Sequence, residues 1–181
     1  DSVYVPSNAT KKELIARGIE ESKIRLYPRG VDTVRFHPEH RSDILHKNWN
    51  VPHDAIVFLY VGRVSKEKNL HVLAKAFADL AASTERSLQL VVVGDGPFLT
   101  EMKNMLANSP AIFTGYMQGK ELSSIYASSH VFVFPSTTDT FGNVVLEAQA
   151  SGLPVITTDK GGPQENILPD RTGFVVKAND V

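Results

Sequence analysis

Cysteine is absent from the chain, which excludes disulfides, thiolate catalysis and cysteine-ligated zinc, and makes a reducing, cytoplasmic setting the expectation. An excess of either charge is also missing: 19 basic residues stand against 20 acidic ones, for a formal net charge of -1. No global field is available to recruit nucleic acid, and the balance points to a small-molecule partner held by a local patch. No apolar run approaches the roughly 18 residues that a membrane span needs. The N-terminus has neither an initiator Met nor a basic segment followed by a long apolar stretch, and residues 173–181 read as a strand followed by the start of a further element. A piece of a longer protein is therefore expected.

What is present is an ordinary globular composition, 42% hydrophobic and 22% charged over 181 residues, enough for one compact core. Residues 8–19 suggest a short helix that Gly18 ends, and residues 23–27 alternate like a strand before the turn Pro28-Arg29-Gly30. A polar stretch, 37–54, leads into Ala55–Val61, a continuous apolar run of the kind found in strands buried on both faces. Leu70, Leu73, Ala74, Phe77 and Leu80 then recur at helical spacing behind Asn69, a suitable N-cap.

The strand-then-helix unit repeats: 88–93 with a helix from Pro97, 112–114 with a helix from Gly119, 131–134 with a helix from about Asn143, and 154–158 with a short helix near Pro163. This alternation predicts an α/β fold, a Rossmann-like doubly wound parallel sheet with helices on both faces. Ligands bind such sheets beyond the carboxyl ends of the strands, here the loops after Val61, Val93, Thr114, Phe134 and Thr158.

The loop after Val61 places Arg63, Lys66 and Lys68 between a buried strand and a helix start. Arg forks two hydrogen bonds to phosphate, Lys adds a point charge, and the helix dipole acts in the same place. A solvated basic loop is the plainer alternative. Gly94-Asp-Gly96-Pro97 permits a tight turn and close backbone approach, but neither a full dinucleotide fingerprint nor a Walker lysine pattern is met, so turn chemistry and ligand contact both stay open. Gly161-Gly-Pro-Gln-Glu165 is open in the same way.

The stretch 134–154 carries the strongest signal. Glu147 lies in an otherwise apolar helix that is expected to be buried, and a buried carboxylate needs a partner. It neutralises a dipole or neighbouring cation, or it accepts the two hydroxyls of a ribose while the amides of Gly142, Asn143 and Val144 point at a phosphate or sugar. Asp139 and Glu147 also suggest a glycosidase carboxylate pair, but hydrolysis leaves the cationic loop without a role.

Taken together, Gly62-Arg63 with Glu67-Lys68, Gly94-Asp-Gly-Pro97, Phe113-Thr-Gly115, Asp139 with Phe141-Gly142 and Glu147-Ala, Gly152-Leu-Pro-Val and Gly161-Gly162 with Glu165 resemble the C-terminal domain of the group 1 (family 4) retaining glycosyltransferases of GT-B fold. The match runs from near Val5 to Val181 in the family's order, with 1–36 as inter-domain linker segment and first elements and 37–181 as the nucleotide-sugar-binding domain.

The resemblance implies that Arg63 and Lys68 bind the donor diphosphate, that Glu147 holds the ribose and that Asp139 touches the transferred sugar. Gly62, Gly94, Gly96, Phe141, Gly142, Asn143 and Val144 are the surrounding binding positions, with the base near Tyr116 and Met117. The family's usual Glu is Asp at position 139. Arg29, where many relatives have Asn, and the phrase Arg29-Gly-Val-Asp-Thr33 make the chain look closest to bacterial lipid mannosyl- or glucosyltransferases.

Such an enzyme transfers a hexose from GDP-mannose or a UDP-hexose to a lipid or glycan acceptor that the N-terminal half would bind, and the resemblance implies association of the full-length protein with a membrane surface. With no Asp-x-Asp pair in the chain, no metal or other cofactor is expected. The fragment itself is expected to bind donor without turnover. A sugar-nucleotide epimerase of the same fold and a non-catalytic nucleotide-binding module are the other readings.

Overall fold

The structure, a computed structural model, describes residues 1–180. The chain begins with β1 (Val3–Val5), α1 (Asn8–Ala16) and β2 (Ile24–Leu26), and the two strands pair in parallel as a small sheet of their own. Val5 and Ile24 are buried within this unit and stand apart from the main core. A linker then leads to α2 (Ile44–Trp49) and β3 (Ile56–Val61).

From there strands and helices alternate as the apolar pattern predicts. They are α3 (Leu70–Ser83), β4 (Leu88–Val93), α4 (Leu99–Met105), β5 (Ala111–Gly115), α5 (Gly119–Ser128), β6 (Val131–Phe134), α6 (Asn143–Ala150), β7 (Val155–Thr158) and β8 (Gly173–Val176).

Strands β3 to β8 form one parallel sheet in the order β5-β4-β3-β6-β7-β8. β4 is buried along its whole length, as its uninterrupted apolar run requires of a strand covered on both faces. Helices α3 and α4 pack together on one side, and α5 packs with α2 and α6 on the other. The connections run outwards from β3 in one direction and from β6 in the other. The order therefore reverses between these two strands, and their carboxyl ends, Val61 and Phe134, frame the crevice where such sheets hold ligands.

Local structure departs from the sequence pattern at several points. The polar stretch 37–54 contains α2, which forms because Leu45 is buried and Ile44 and Trp49 pack against the core. Asn69 does not cap α3 through its side chain. It takes a left-handed conformation after a 3-10 turn (Lys66–Lys68), and its Nδ2 donates to Pro135 O at 3.4 Å and Thr137 Oγ1 at 3.3 Å, tying the loop after β3 to the loop after β6. The element at Pro163 is a 3-10 turn (Pro163–Asn166). Beyond Val176 the expected further element begins as a turn at 178–179, and Val181 lies outside the described residues.

Candidate functional site

Two adjoining cavities open at the switch point, one of about 340 Å³ and one of about 560 Å³, and they share Val61, Gly62, Arg63 and Val144 as a common wall. The smaller holds the charged groups of the two central loops, Arg63, Lys68 and Asp139, together with Gly142 and Asn143 at the start of α6. The larger runs past Gly94, Tyr116 and Met117 to Glu147. Residues that the sequence singled out separately thus stand around one continuous cleft.

At the smaller end, β3 finishes in Gly62 and the chain turns sharply. Tyr60, fully buried, donates its hydroxyl to Arg63 O at 2.9 Å and so props the turn that aims Arg63. Burial, and then the charges of Asp139 and Glu67, raise the Tyr60 hydroxyl far above its ordinary range, so it stays a donor. Lys68 Nζ meets Asp139 Oδ2 at 2.8 Å, with the two side chains only 18% and 24% exposed. An ammonium has three donors, and this pairing leaves others for an anion.

Lys66, the third cation of the loop, turns away to Glu101 at 2.9 Å and to the Phe98 ring. The helix whose first turn lines the smaller cavity is α6, not α3 as the loop sequence suggests. Gly142, Asn143 and Val144 bring to the cavity wall first-turn amides that a helix leaves without intrahelical partners, and with them the positive end of the helix dipole.

The frame behind these groups leaves no room for side chains. A Cβ on Gly94 would lie 1.9 Å from the carbonyl oxygen of Gly62, and Gly94 N–H donates to Gly115 O at 2.8 Å, so the loop tips after β3, β4 and β5 are joined backbone to backbone. Gly94 is thereby a packing requirement as well as part of the cleft wall. Gly96 lines neither cavity; a Cβ there would lie 2.3 Å from Val64 O, so close backbone packing requires a glycine at this turn.

At the far end, α6 is less buried than its composition suggests: Val145 and Ala148 enter the core, while Val144 and Glu147 are half-buried and line the cleft. Burial raises the Glu147 carboxyl above its ordinary range, whereas a hydrogen bond from Tyr126 and the charge of Arg35 lower it. The Tyr126 hydroxyl donates to Glu147 Oε2 at 3.0 Å from the wholly buried face of α5, and its ring packs edge-on against Phe36, over which Arg35 lies. Sequence reading missed Tyr126 and Arg35. The available signal was a tyrosine among apolar positions of a helix, whose hydroxyl must find a partner when buried. Tyr116 is mostly exposed at the rim of the larger cavity, and Phe141 is buried beneath the smaller one.

These contacts set a pH dependence. Because burial raises Glu147, its protonated form favours the fold; that contribution is present below the unfolded value and is lost as pH rises through the higher folded one. The carboxylate is the form of Glu147 that accepts hydrogen bonds from ligand hydroxyls, so any binding that uses it is expected to fall on acidification at a pH above the usual glutamate range. Tyr126→Phe removes a lowering influence and is expected to move this fall to higher pH, at a cost of about 1 kcal/mol in stability. Glu147→Gln is expected to abolish the fall. Calorimetric titrations at several pH values check both outcomes, and an unchanged profile in Tyr126→Phe would contradict the assigned contact.

Comparison with known proteins gives a consistent result. The family model described as "Glycosyl transferases group 1" matches residues 41–181. The GDP-mannose-dependent alpha-mannosyltransferase of Mycobacterium tuberculosis is 41% identical over 180 residues, covering 99% of this chain and 45% of that protein. The sulfoquinovosyl transferase SQD2 of Arabidopsis thaliana is 38% identical over 186 residues, covering 100% of this chain and 36% of that protein. A glycosyltransferase structure from Rickettsia africae superimposes with a TM-score of 0.87 at 26% identity, over 99% of this chain and 50% of that one. The chain thus spans half or less of the length of each of these proteins.

Proposed function

The chain belongs to the group 1 glycosyltransferases and has the parallel-sheet fold of the C-terminal half of GT-B enzymes, and from that premise we propose that it is the donor-binding part of a retaining enzyme that transfers a hexose from GDP-mannose or a UDP-hexose to an acceptor. The observation that carries the reading is a single cleft with Arg63, Lys68 and a helix N-terminus at one end and a half-buried carboxylate, Glu147, at the other. A nucleoside diphosphate has this polarity: two charged phosphates at one end of a ribose that offers two hydroxyl donors. The GDP-mannose named for the mycobacterial relative supports a guanine donor.

In this reading residues 37–181 form the donor domain and 1–36 lead into it. The diphosphate lies across Arg63, Lys68 and the amides of Gly142 to Val144, Glu147 takes the ribose hydroxyls, and the base lies towards Tyr116 and Met117. As the glycosidic bond breaks, the sugar becomes oxocarbenium-like and negative charge gathers on the departing diphosphate. Arg63 and Lys68 are already in place to meet it, which is the condition for electrostatic stabilisation without reorganisation. Asp139 faces the sugar while staying paired with Lys68, so sugar and leaving group are read by one ion pair. Those cations do the work for which other transferases use a metal, and we expect activity to be metal-independent. The acceptor, a lipid or glycan, is bound outside this chain, in a cytoplasmic setting that includes the membrane surface.

The test is the stereochemistry of transfer by the full-length protein. With an α-linked donor, proton NMR of the first product formed is expected to show an α-anomeric signal at a rate unchanged by EDTA. A β-linked product rules out retention, and release of a new free or nucleotide-linked sugar without acceptor points to an epimerase instead.

A further inference from the structure

The β1–α1–β2 unit is hydrogen-bonded to the six-stranded domain through one residue. Among the described residues, every hydrogen bond between residues 1–27 and residues 37–180 ends on Glu165: Asn8 N–H donates to its Oε2 at 2.8 Å, Asn8 Nδ2 to the same oxygen at 3.0 Å, and Ala9 N–H to Oε1 at 2.6 Å. Ser7 Oγ accepts the next amide, from Thr10, at 3.2 Å. Ser7 and Glu165, from opposite ends of the chain, thus share the capping of α1, and a carboxylate at a helix N-terminus is favoured by the dipole as well.

Glu165 is itself held against the cleft. The preceding Gly162 donates its N–H to Asp139 O at 2.9 Å, and a Cβ on Gly162 would lie 1.9 Å from Thr140 O and 2.9 Å from Ser7 Oγ. The loop carrying Glu165 is therefore packed onto the loop carrying Asp139. On the other side, the linker that leaves β2 is largely exposed from Tyr27 to Gly30, yet it brings Arg29 to the wall of the cavity that contains Lys68 and Asp139. Among the described residues, no hydrogen bond of its own holds Arg29 there. Val31, two residues on, packs against the main core, and on the other side the position of Arg29 depends on where the small unit sits.

We propose that Glu165 is a positioning residue: by fixing the first turn of α1 it sets the point where the linker departs and keeps Arg29 on the anion end of the cleft. This rests on the donor-site reading above, and it adds a third cation to that site whose placement is controlled from outside it.

The test is a double-mutant cycle on the full chain, titrated with inorganic pyrophosphate, GDP and UDP. Glu165→Ala and Arg29→Ala are each expected to weaken binding roughly tenfold, the loss expected for a charged contact. The double variant is expected to lose no more than either alone, because both changes remove the same contact. Glu165→Gln, which keeps a carbonyl oxygen for the α1 amides, is expected to retain most of the affinity. Wild-type affinity in Glu165→Ala, or losses that multiply in the double variant, overturns the proposal. If the wild-type chain binds none of the three probes, the donor-site reading fails and the coupling fails with it. Amide exchange then shows separately whether the latch exists: Asn8 and Ala9 exchange slowly in the wild type and faster in Glu165→Ala if it does.

Discussion

Replacing either cleft cation with alanine is expected to weaken nucleoside diphosphate binding by about 1.5 to 3 kcal/mol, the range for hydrogen bonds to charged groups. The two losses differ in kind. Arg63→Ala removes a forked donor whose aim is set by the Tyr60 prop, and Arg63→Lys is expected to recover only part of the affinity because a point charge cannot reproduce the fork. Lys68→Ala also strips Asp139 of its partner and leaves an unpaired carboxylate in a sheltered cavity facing an incoming anion.

Lys68→Ala is therefore the larger of the two effects, and adding Asp139→Asn to it is expected to restore part of the binding. Neither change should alter affinity for the corresponding nucleoside, which has no phosphate. Calorimetry with GDP, UDP and their nucleosides checks the pattern; equal losses for nucleoside and diphosphate would place the cations elsewhere.

Gly94→Ala is expected to destabilise the fold by roughly 3 to 5 kcal/mol, combining overpacking with a backbone conformation that alanine seldom adopts. Gly94 has φ 134°, and its added Cβ meets the Gly62 carbonyl rather than the movable end of a side chain. The strands on either side are the buried centre of the sheet, so relief has to come from separating β3 and β4 at their ends, where Gly62 N–H donates to Val93 O at 3.0 Å. At this chain length such a loss lowers Tm by about 10 °C. Because the displaced turn also carries Arg63, whatever protein still folds should bind nucleotide weakly. A thermal melt within 2 °C or so of wild type would contradict the close approach on which the cleft's frame depends.

The parts of this fold that were legible in the sequence are those for which local chemistry and tertiary position agree. Strands β3, β4 and β6 are apolar runs because both their faces are covered, and the loop cations and the carboxylate of α6 are conspicuous because they interrupt apolar surroundings. Helix α2 was hidden because a six-residue helix in a polar stretch owes its existence to the docking of Leu45 and its neighbours and not to any periodicity.

Arg29 and Arg35 were illegible as cleft residues because the linker returns to the site through space, and nothing in its own sequence says where it lands. The Lys68–Asp139 pair spans 71 positions, and its members looked like two separate ligand contacts until the two loops were seen to face one another. Lys66 shows the reverse: it shares the loop's charge pattern but is claimed by Glu101 on α4.

The central claim is that this cleft binds a nucleotide sugar by its diphosphate and ribose. The most direct measurement is calorimetric titration of the wild-type chain with GDP, UDP and ADP, then with the mannose and glucose conjugates of whichever nucleotide binds. The expected result is one preferred diphosphate, a much weaker monophosphate, and a conjugate whose affinity differs from that of the bare nucleotide because Asp139 meets the sugar. Mono- and diphosphates binding equally, or a conjugate indistinguishable from its nucleotide, would contradict it.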